Sequence, residues 1–204
     1  MVLLIKTDSK GNKTWYNEEG LVHRGNDLPA KIDADGSQFW YKNGKKHRDG
    51  GLPALIYANG YELWYVEDML HRDGLPIYLD KGYAYYRHGL IHRDDDEPAV
   101  VWDDGSRFWY KDGKLHREGG LPAVIRADGS QHWYWKGLRH RGGDLPAIVR
   151  TDGHLSWYKG GQQHRGLGRP AMISSSGTRA WYTKGKCDRM VLGDDSHVEP
   201  YEVD

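Results

Sequence analysis

The chain has 204 residues, and its 29 Lys plus Arg balance 29 Asp plus Glu, so the formal charge is zero. That balance argues against a general nucleic-acid binder, which needs excess positive charge to displace counterions, though a locally basic face stays open. The single cysteine, Cys187, rules out a disulfide framework within the chain and a cysteine-based metal site, and no stretch approaches the ~18 apolar residues of a membrane span.

Apolar surface must come largely from 9 Trp and 14 Tyr, because Phe numbers only 2. Such residues, apolar in body and polar at the tip, suit a thin layer that touches water on both sides. Residues 1–14 read as half a repeat unit and N-terminal cap, with Asp8-Ser-Lys-Gly11 as the turn before Trp15. They are expected to start the sheet and cover one edge. The opening Met1-Val-Leu-Leu-Ile-Lys6 is too short for the apolar region of a signal peptide, so a reducing cytoplasm, the producer's or a host's, is the expected setting.

From residue 15 to 185 an aromatic pair recurs: Trp15-Tyr16, Trp40-Tyr41, Trp64-Tyr65, Tyr85-Tyr86, Trp109-Tyr110, Trp133-Tyr134, Trp157-Tyr158 and Trp181-Tyr182. The spacings are 25, 24, 21, 24, 24, 24 and 24. Downstream of each pair, up to Trp157-Tyr158, come His-Arg, as at His116-Arg117, then Leu-Pro-Ala or a variant, as at Pro122, then an Asp-Gly-like turn, as at Asp128-Gly129. Four features held in phase mark about seven tandem units of ~24 residues.

Within a unit, Phe108-Trp109-Tyr110-Lys111 and Lys114-Leu115-His116-Arg117 flank Asp112-Gly113. Asp-Gly between such runs signals a hairpin with a type I′ turn, which needs positive φ at both central residues. Pro122 cannot donate a ladder hydrogen bond and should mark a bend or strand start. Gly or Pro interrupts every helical stretch up to residue 185. The expected fold is therefore all-β with almost no helix: a single-layer twisted antiparallel sheet of tandem hairpin repeats. Two strands per repeat at ~4.8 Å would advance the array roughly 10 Å per unit.

The third unit, residues 64 to 84, is three residues short and carries Asp68 where the turn usually has Gly. A bulge or kink that adjusts the register would explain it, as would a face reshaped for a partner. Residues 186–204 leave the register, with Asp188 in the His position, and end in an acidic cap or tail.

The run Tyr110-Lys-Asp-Gly-Lys-Leu-His116, followed by Ala127-Asp-Gly-Ser130, resembles the MORN repeat: an aromatic strand, a Gly turn, a His and a second Gly turn. The resemblance covers about residues 10 to 186 and is closest to variant MORN-like units of bacterial, phage and large-virus proteins. Arg follows His where MORN usually has Gly, and Leu-Pro-Ala is inserted. The resemblance implies a scaffolding or binding habit and no catalytic residues.

Three columns could carry function. The repeated His could suggest metal, but equivalent atoms about 10 Å apart cannot share a Zn²⁺ that needs nitrogens at ~2.1 Å, so no metal and no cofactor is expected. Each His is expected instead to bond a neighbouring turn or pack under the aromatic pair. The eleven His would gain charge on acidification, so stability or partner affinity should fall near pH 5. The Arg column, Arg48, Arg72, Arg93, Arg117, Arg141 and Arg165, has acids close in sequence at Asp49, Asp73, Asp94, Glu118 and Asp144. It forms either ion pairs or a guanidinium stripe for carboxylates or phosphates. In the third column, Trp and Tyr of each pair point to opposite faces. Trp40, Trp64, Trp109, Trp133 and Trp157 could pack between repeats, or form an open aromatic face.

An enzyme is not expected, since catalysis needs one unique constellation and most polar residues are repeated. The unique Cys187 and His197 lack an orienting group or oxyanion site. The leading expectation is a binding module or scaffold for a protein partner, with antitoxin-like, immunity or phage and viral host-interaction roles implied by the resemblance. The alternatives are an extended glycan or nucleic-acid strand, or a phospholipid surface as in MORN proteins. Oligomeric state is not legible.

Overall fold

The structure is a computed structural model that describes residues 4–72 and 74–193. Among these residues the chain is all-β, built of short antiparallel strands joined by tight turns, without helix. No helix is long and apolar enough to cross a membrane.

Each full repeat contains four short strands rather than two. In one repeat these are Val100–Trp102, Arg107–Phe108, Tyr110–Lys111 and Lys114–Leu115. The first two belong to a long antiparallel sheet, and the last two pair with each other as a separate hairpin. The change of partner happens at Trp109. Its amide donates to Ala123 O at 2.8 Å, on the long-sheet side, while its carbonyl accepts from His116 N at 3.0 Å, on the hairpin side. Sequence alternation shows one continuous strand through the aromatic pair. It does not show that hydrogen bonding moves to a different neighbour halfway along.

The chain divides into two compact units within the short third repeat. Residues up to Leu79 belong with Tyr83–Leu90, and Asp80–Gly82 belong with the residues from Ile91 onward. In the first unit the strand order runs from Leu4–Thr7 through Lys13–Tyr16, Lys31–Ile32, Gln38–Phe39 and Leu55–Ile56 to Glu62–Leu63. In the second unit one register line runs across successive strands: Val100, Phe108, Val124, His132, Ile148, Ser156, Met172 and Ala180 face one another in turn. Val100, Val124, Ile148, Ser156 and Ala180 are buried along this line, as expected for one face of a period-two strand.

The rest of the core is a column of Trp and Ala. Ala30, Ala54, Ala99, Ala123, Ala147 and Ala171, the third residues of the Leu-Pro-Ala elements, have no exposed surface at all. Trp40 clusters with Ala54, and Trp157 with Ala171. A small side chain is required where the indole of the preceding repeat closes down.

The two turn types differ in construction. Asp112 and Gly113 both have positive φ, 49° and 74°, as a type I′ turn requires. At Asp128-Gly129 only the Gly is positive, at 85°. There Gly129 N bonds Arg126 O, and Arg126 N bonds Ser130 O, both at 2.9 Å, giving a three-residue loop. In the third repeat the sequence suggests a turn at Lys81-Gly82. The structure places the turn at Asp80-Lys81, and Gly82 lies in the strand Gly82–Ala84. The lost residue shortens this loop to two.

At the N-terminus, Leu4–Thr7 pairs with Lys13–Tyr16. At the other end Lys186–Val191 continues the sheet beside Arg179–Thr183, with a bulge at Trp181/Tyr182. The acidic tail, residues 194–204, lies outside the described residues.

Candidate binding face: the Arg–Trp ladder

After each His-Arg the chain makes a third turn that the repeat pattern had not revealed. Its two central residues both have positive φ: Asn26-Asp27 at 58° and 51°, Gly50-Gly51 at 75° and 68°, Asp95-Asp96 at 60° and 53°, Gly119-Gly120 at 68° and 70°, Gly143-Asp144 at 70° and 59°. Gly, Asn and Asp tolerate this region best, which explains the composition of these loops. The carbonyl of the second residue then meets the indole of the next repeat. Trp40 Nε1 donates to Asp27 O at 3.1 Å, Trp64 to Gly51 at 3.1 Å, Trp109 to Asp96 at 2.9 Å, Trp133 to Gly120 at 2.7 Å and Trp157 to Asp144 at 2.8 Å.

The Arg that follows each Trp folds back over it. The guanidinium carbon lies 3.8 Å from the ring centre for Arg48 on Trp40, 3.6 Å for Arg72 on Trp64, 3.9 Å for Arg117 on Trp109, 3.7 Å for Arg141 on Trp133 and 3.9 Å for Arg165 on Trp157. Each of these is a cation–π stack. Nη1 of each Arg donates to the carbonyl of the following Pro, at 3.2 Å for Arg48–Pro53 and 2.6 Å for Arg72–Pro76. Three repeats complete the ladder with an acid. Arg48 grips Asp27 through Nε and Nη2, both at 2.7 Å, and Arg117 grips Asp96 in the same way at 2.8 Å. Arg165 holds Asp144, which Arg169 also reaches at 2.8 Å. These guanidinium hydrogen bonds hold the Asp27, Asp96 and Asp144 carboxyls below the usual carboxylate range.

Trp40, Trp64, Trp109, Trp133 and Trp157 therefore do not form an open aromatic face. They are buried, Trp157 to 2 % exposure, with an Arg laid over each ring. Their Tyr partners, such as Tyr41 and Tyr65, are half-buried, and burial pushes those phenols up. The Arg stripe exists, but as part of this stack. Arg93, in the repeat with Tyr85 in the Trp position, donates to Pro98 O at 3.1 Å, and Arg141 donates to Pro146 O at 3.2 Å.

Most acids next to Arg in sequence serve His instead. Asp49 is 2.8 Å from His47 Nε2, Asp94 is 3.0 Å from His92 Nε2, and Glu118 bonds Lys111 at 3.1 Å and lies 3.8 Å from His116. Asp144 meets an Arg, Arg165, at 2.9 Å, and Asp73 lies outside the described residues. Asp27 and Asp96, missed in the sequence reading, sit 21 residues before their Arg. The signal that would have found them is the pair of left-handed-tolerant residues between His-Arg and Leu-Pro.

The His column links repeats. His23, His47, His92, His116 and His140 accept through Nδ1 from a turn amide of the following repeat, at 3.1, 3.3, 3.0, 3.2 and 3.4 Å. Among the described residues no group of three or more His, Cys, Asp or Glu is placed to hold a metal. Cys187 is exposed, and His197 lies outside the described residues.

Grooves open between successive ladder loops in the second unit. One of about 280 Å³ includes Arg141, Asp144, Trp157 and Arg165, and another of about 180 Å³ includes Arg93, Asp96, Trp109 and Arg117. Beside the ladder the Leu of Leu-Pro stays open: Leu28, Leu52, Leu75 and Leu121 are 43–53 % exposed.

No protein-family model and no curated protein matches this chain. The functional reading rests on the geometry of its own side chains.

Proposed function

We propose that the chain is a non-enzymatic binding module that engages a protein partner along the loops of the Arg–Trp ladder. The observation that carries this reading is the repeated exposure of one leucine position, Leu28, Leu52, Leu75 and Leu121, beside the guanidinium groups. An apolar side chain kept open at the same place in the three successive repeats of Leu28, Leu52 and Leu75, and again at Leu121 in the second unit, next in sequence to charged and hydrogen-bonding groups, has the make-up of a protein-binding surface. The MORN-like pattern of the sequence agrees with a scaffolding or binding role, including an antitoxin-like, immunity or phage and viral host-interaction role. Stacking on a glycan or a nucleic-acid strand by the repeated Trp column would need open rings, and Trp40, Trp64, Trp109, Trp133 and Trp157 lie under Arg.

The test is affinity capture from the native host, comparing the wild-type chain with a variant carrying Leu28→Ser, Leu52→Ser, Leu75→Ser and Leu121→Ser. A protein retained by the wild type and lost by the folded variant supports the reading. Retention of phospholipid or nucleic acid in place of a protein, or equal retention of the protein by both chains, refutes it.

A further inference from the structure

The ladder is incomplete at Arg72. In the repeats of Arg48, Arg117 and Arg165 the second left-handed residue of the preceding loop is Asp27, Asp96 or Asp144, and its carboxylate takes the Nε edge of the guanidinium. In the repeat of Arg72 that residue is Gly51. All the other features of the ladder are kept: Gly51 has φ +68°, its carbonyl accepts from Trp64 Nε1, Arg72 stacks on Trp64 at 3.6 Å, and Arg72 Nη1 bonds Pro76 O. Only the carboxylate is missing. Arg72 Nε is shut from solvent and has no hydrogen-bond partner among the described residues. A buried donor without an acceptor carries a desolvation penalty that a bound anion would remove.

We propose that Arg72 is a binding site for a carboxylate supplied by an acidic side chain of a partner, which takes the position on Arg72 that Asp27 takes on Arg48. The source of the carboxylate, though not the site, rests on the protein-binding reading above. Access follows from Gly51. A Cβ built there meets nothing within 4 Å, so beside Gly51 there is room for the group that Asp27 carries in the repeat of Arg48. The ring face of the guanidinium is taken by Trp64 and one nitrogen by Pro76, leaving a planar edge. Such an edge suits the two coplanar oxygens of a carboxylate, the fit the chain itself displays at Arg48 and Arg117. Leu52 and Leu75, 45 % and 53 % exposed, are close to Gly51 and Arg72 in sequence and favour an acidic residue set among apolar ones.

The Arg Nε–Hε resonances of the ¹⁵N-labelled full chain test the site. The probes are acetyl-Leu-Glu-Leu-amide, its Gln counterpart and inorganic phosphate. The Arg72 signal, assigned by its loss in Arg72→Lys, should shift saturably with the Glu peptide and at least tenfold more weakly with the Gln peptide. Gly51→Asp, which supplies the missing carboxylate from within, should abolish the response. Should that variant not fold, Asp96→Gly is the converse, and it should create a new response at Arg117. An Arg72 signal that does not move, an equal response to the Gln peptide, an undiminished response in folded Gly51→Asp, or no gain in Asp96→Gly would each overturn the proposal. Phosphate saturating as tightly as the Glu peptide would assign the site to phosphate and overturn it too. The titration uses synthetic probes, so it stands or falls separately from the capture experiment.

Discussion

Arg48 and Asp27 meet edge to edge, Nε to Oδ1 and Nη2 to Oδ2, both at 2.7 Å, across 21 residues of sequence and one repeat boundary. Asp27 does this from a left-handed backbone, φ 51°, that costs an ordinary residue about 1 kcal/mol. The same arrangement recurs at Asp96 and Asp144.

Replacing Asp96 by Gly isolates the carboxylate, because Gly relieves the backbone as it removes the acid. The pair is partly exposed, and such pairs contribute about 1 kcal/mol or less. A double-mutant cycle of Asp96→Gly with Arg117→Gln, followed by urea unfolding, should return a coupling of about that size that shrinks in 1 M salt. The carboxyls of Asp27, Asp96 and Asp144 are held low, so the stability they contribute is present above the ordinary carboxylate range and is lost as pH falls through their lowered values.

Trp157 is 2 % exposed and joins Ala171, Leu155 and Arg165. Trp157→Ala should cost about 3–5 kcal/mol. Ala171→Leu should also destabilise, by about 1–3 kcal/mol, because the alanine site is already closed. Thermal melts of both variants measure this directly.

His132 is half-buried, facing Val124 and Ile148 across the sheet, and burial, with Arg126 and Arg139 nearby, lowers it to about 4. Burial lowers His154 as well. The unfolded chain binds these protons near the usual ~6.5. Stability due to the neutral imidazoles is therefore complete above that value and is lost as pH falls below it, for His132 down to about 4. The melting temperature should drop between pH 7.5 and 5. His132→Phe, matching Phe108 on the same register line, should flatten that drop, and an equal drop in the variant would exclude His132 as a source.

Gly82, with φ 151°, leaves no room for a side chain. A Cβ there would run into Val101 O and come within 2.8 Å of Trp102 Cα. Gly82→Ala should cost about 1–3 kcal/mol, from backbone strain and displaced neighbours. Gly36→Ala, also left-handed but with open space around its Cβ, should cost less. Side-by-side melting curves decide between strain alone and strain with collision.

The repeat, the all-β class and the type I′ turn at Asp112-Gly113 were legible because turn chemistry and spacing are local. The closing of the Trp column was not. The alternation of Trp109 and Tyr110 assigns them to opposite faces, but which face is covered depends on Arg117 folding back, and that depends on the backbone at Asp95-Asp96. Sequence proximity likewise pointed from Arg117 to Glu118, whereas the chain path brings Asp96 to it. The division at the third repeat was visible only as three missing residues.

Trp15, Trp40, Trp109, Trp133 and Trp157 each belong, through N–H and C=O, to two hydrogen-bond ladders at once: Trp133 N bonds Ala147 O at 2.8 Å, and Trp133 O accepts from His140 N at 3.2 Å. A single residue thus acts as the hinge pin between the long sheet and its own small hairpin. Neither can peel away without straining the other at that pin, so amide exchange at Trp133 and His140 should report one shared opening event rather than two.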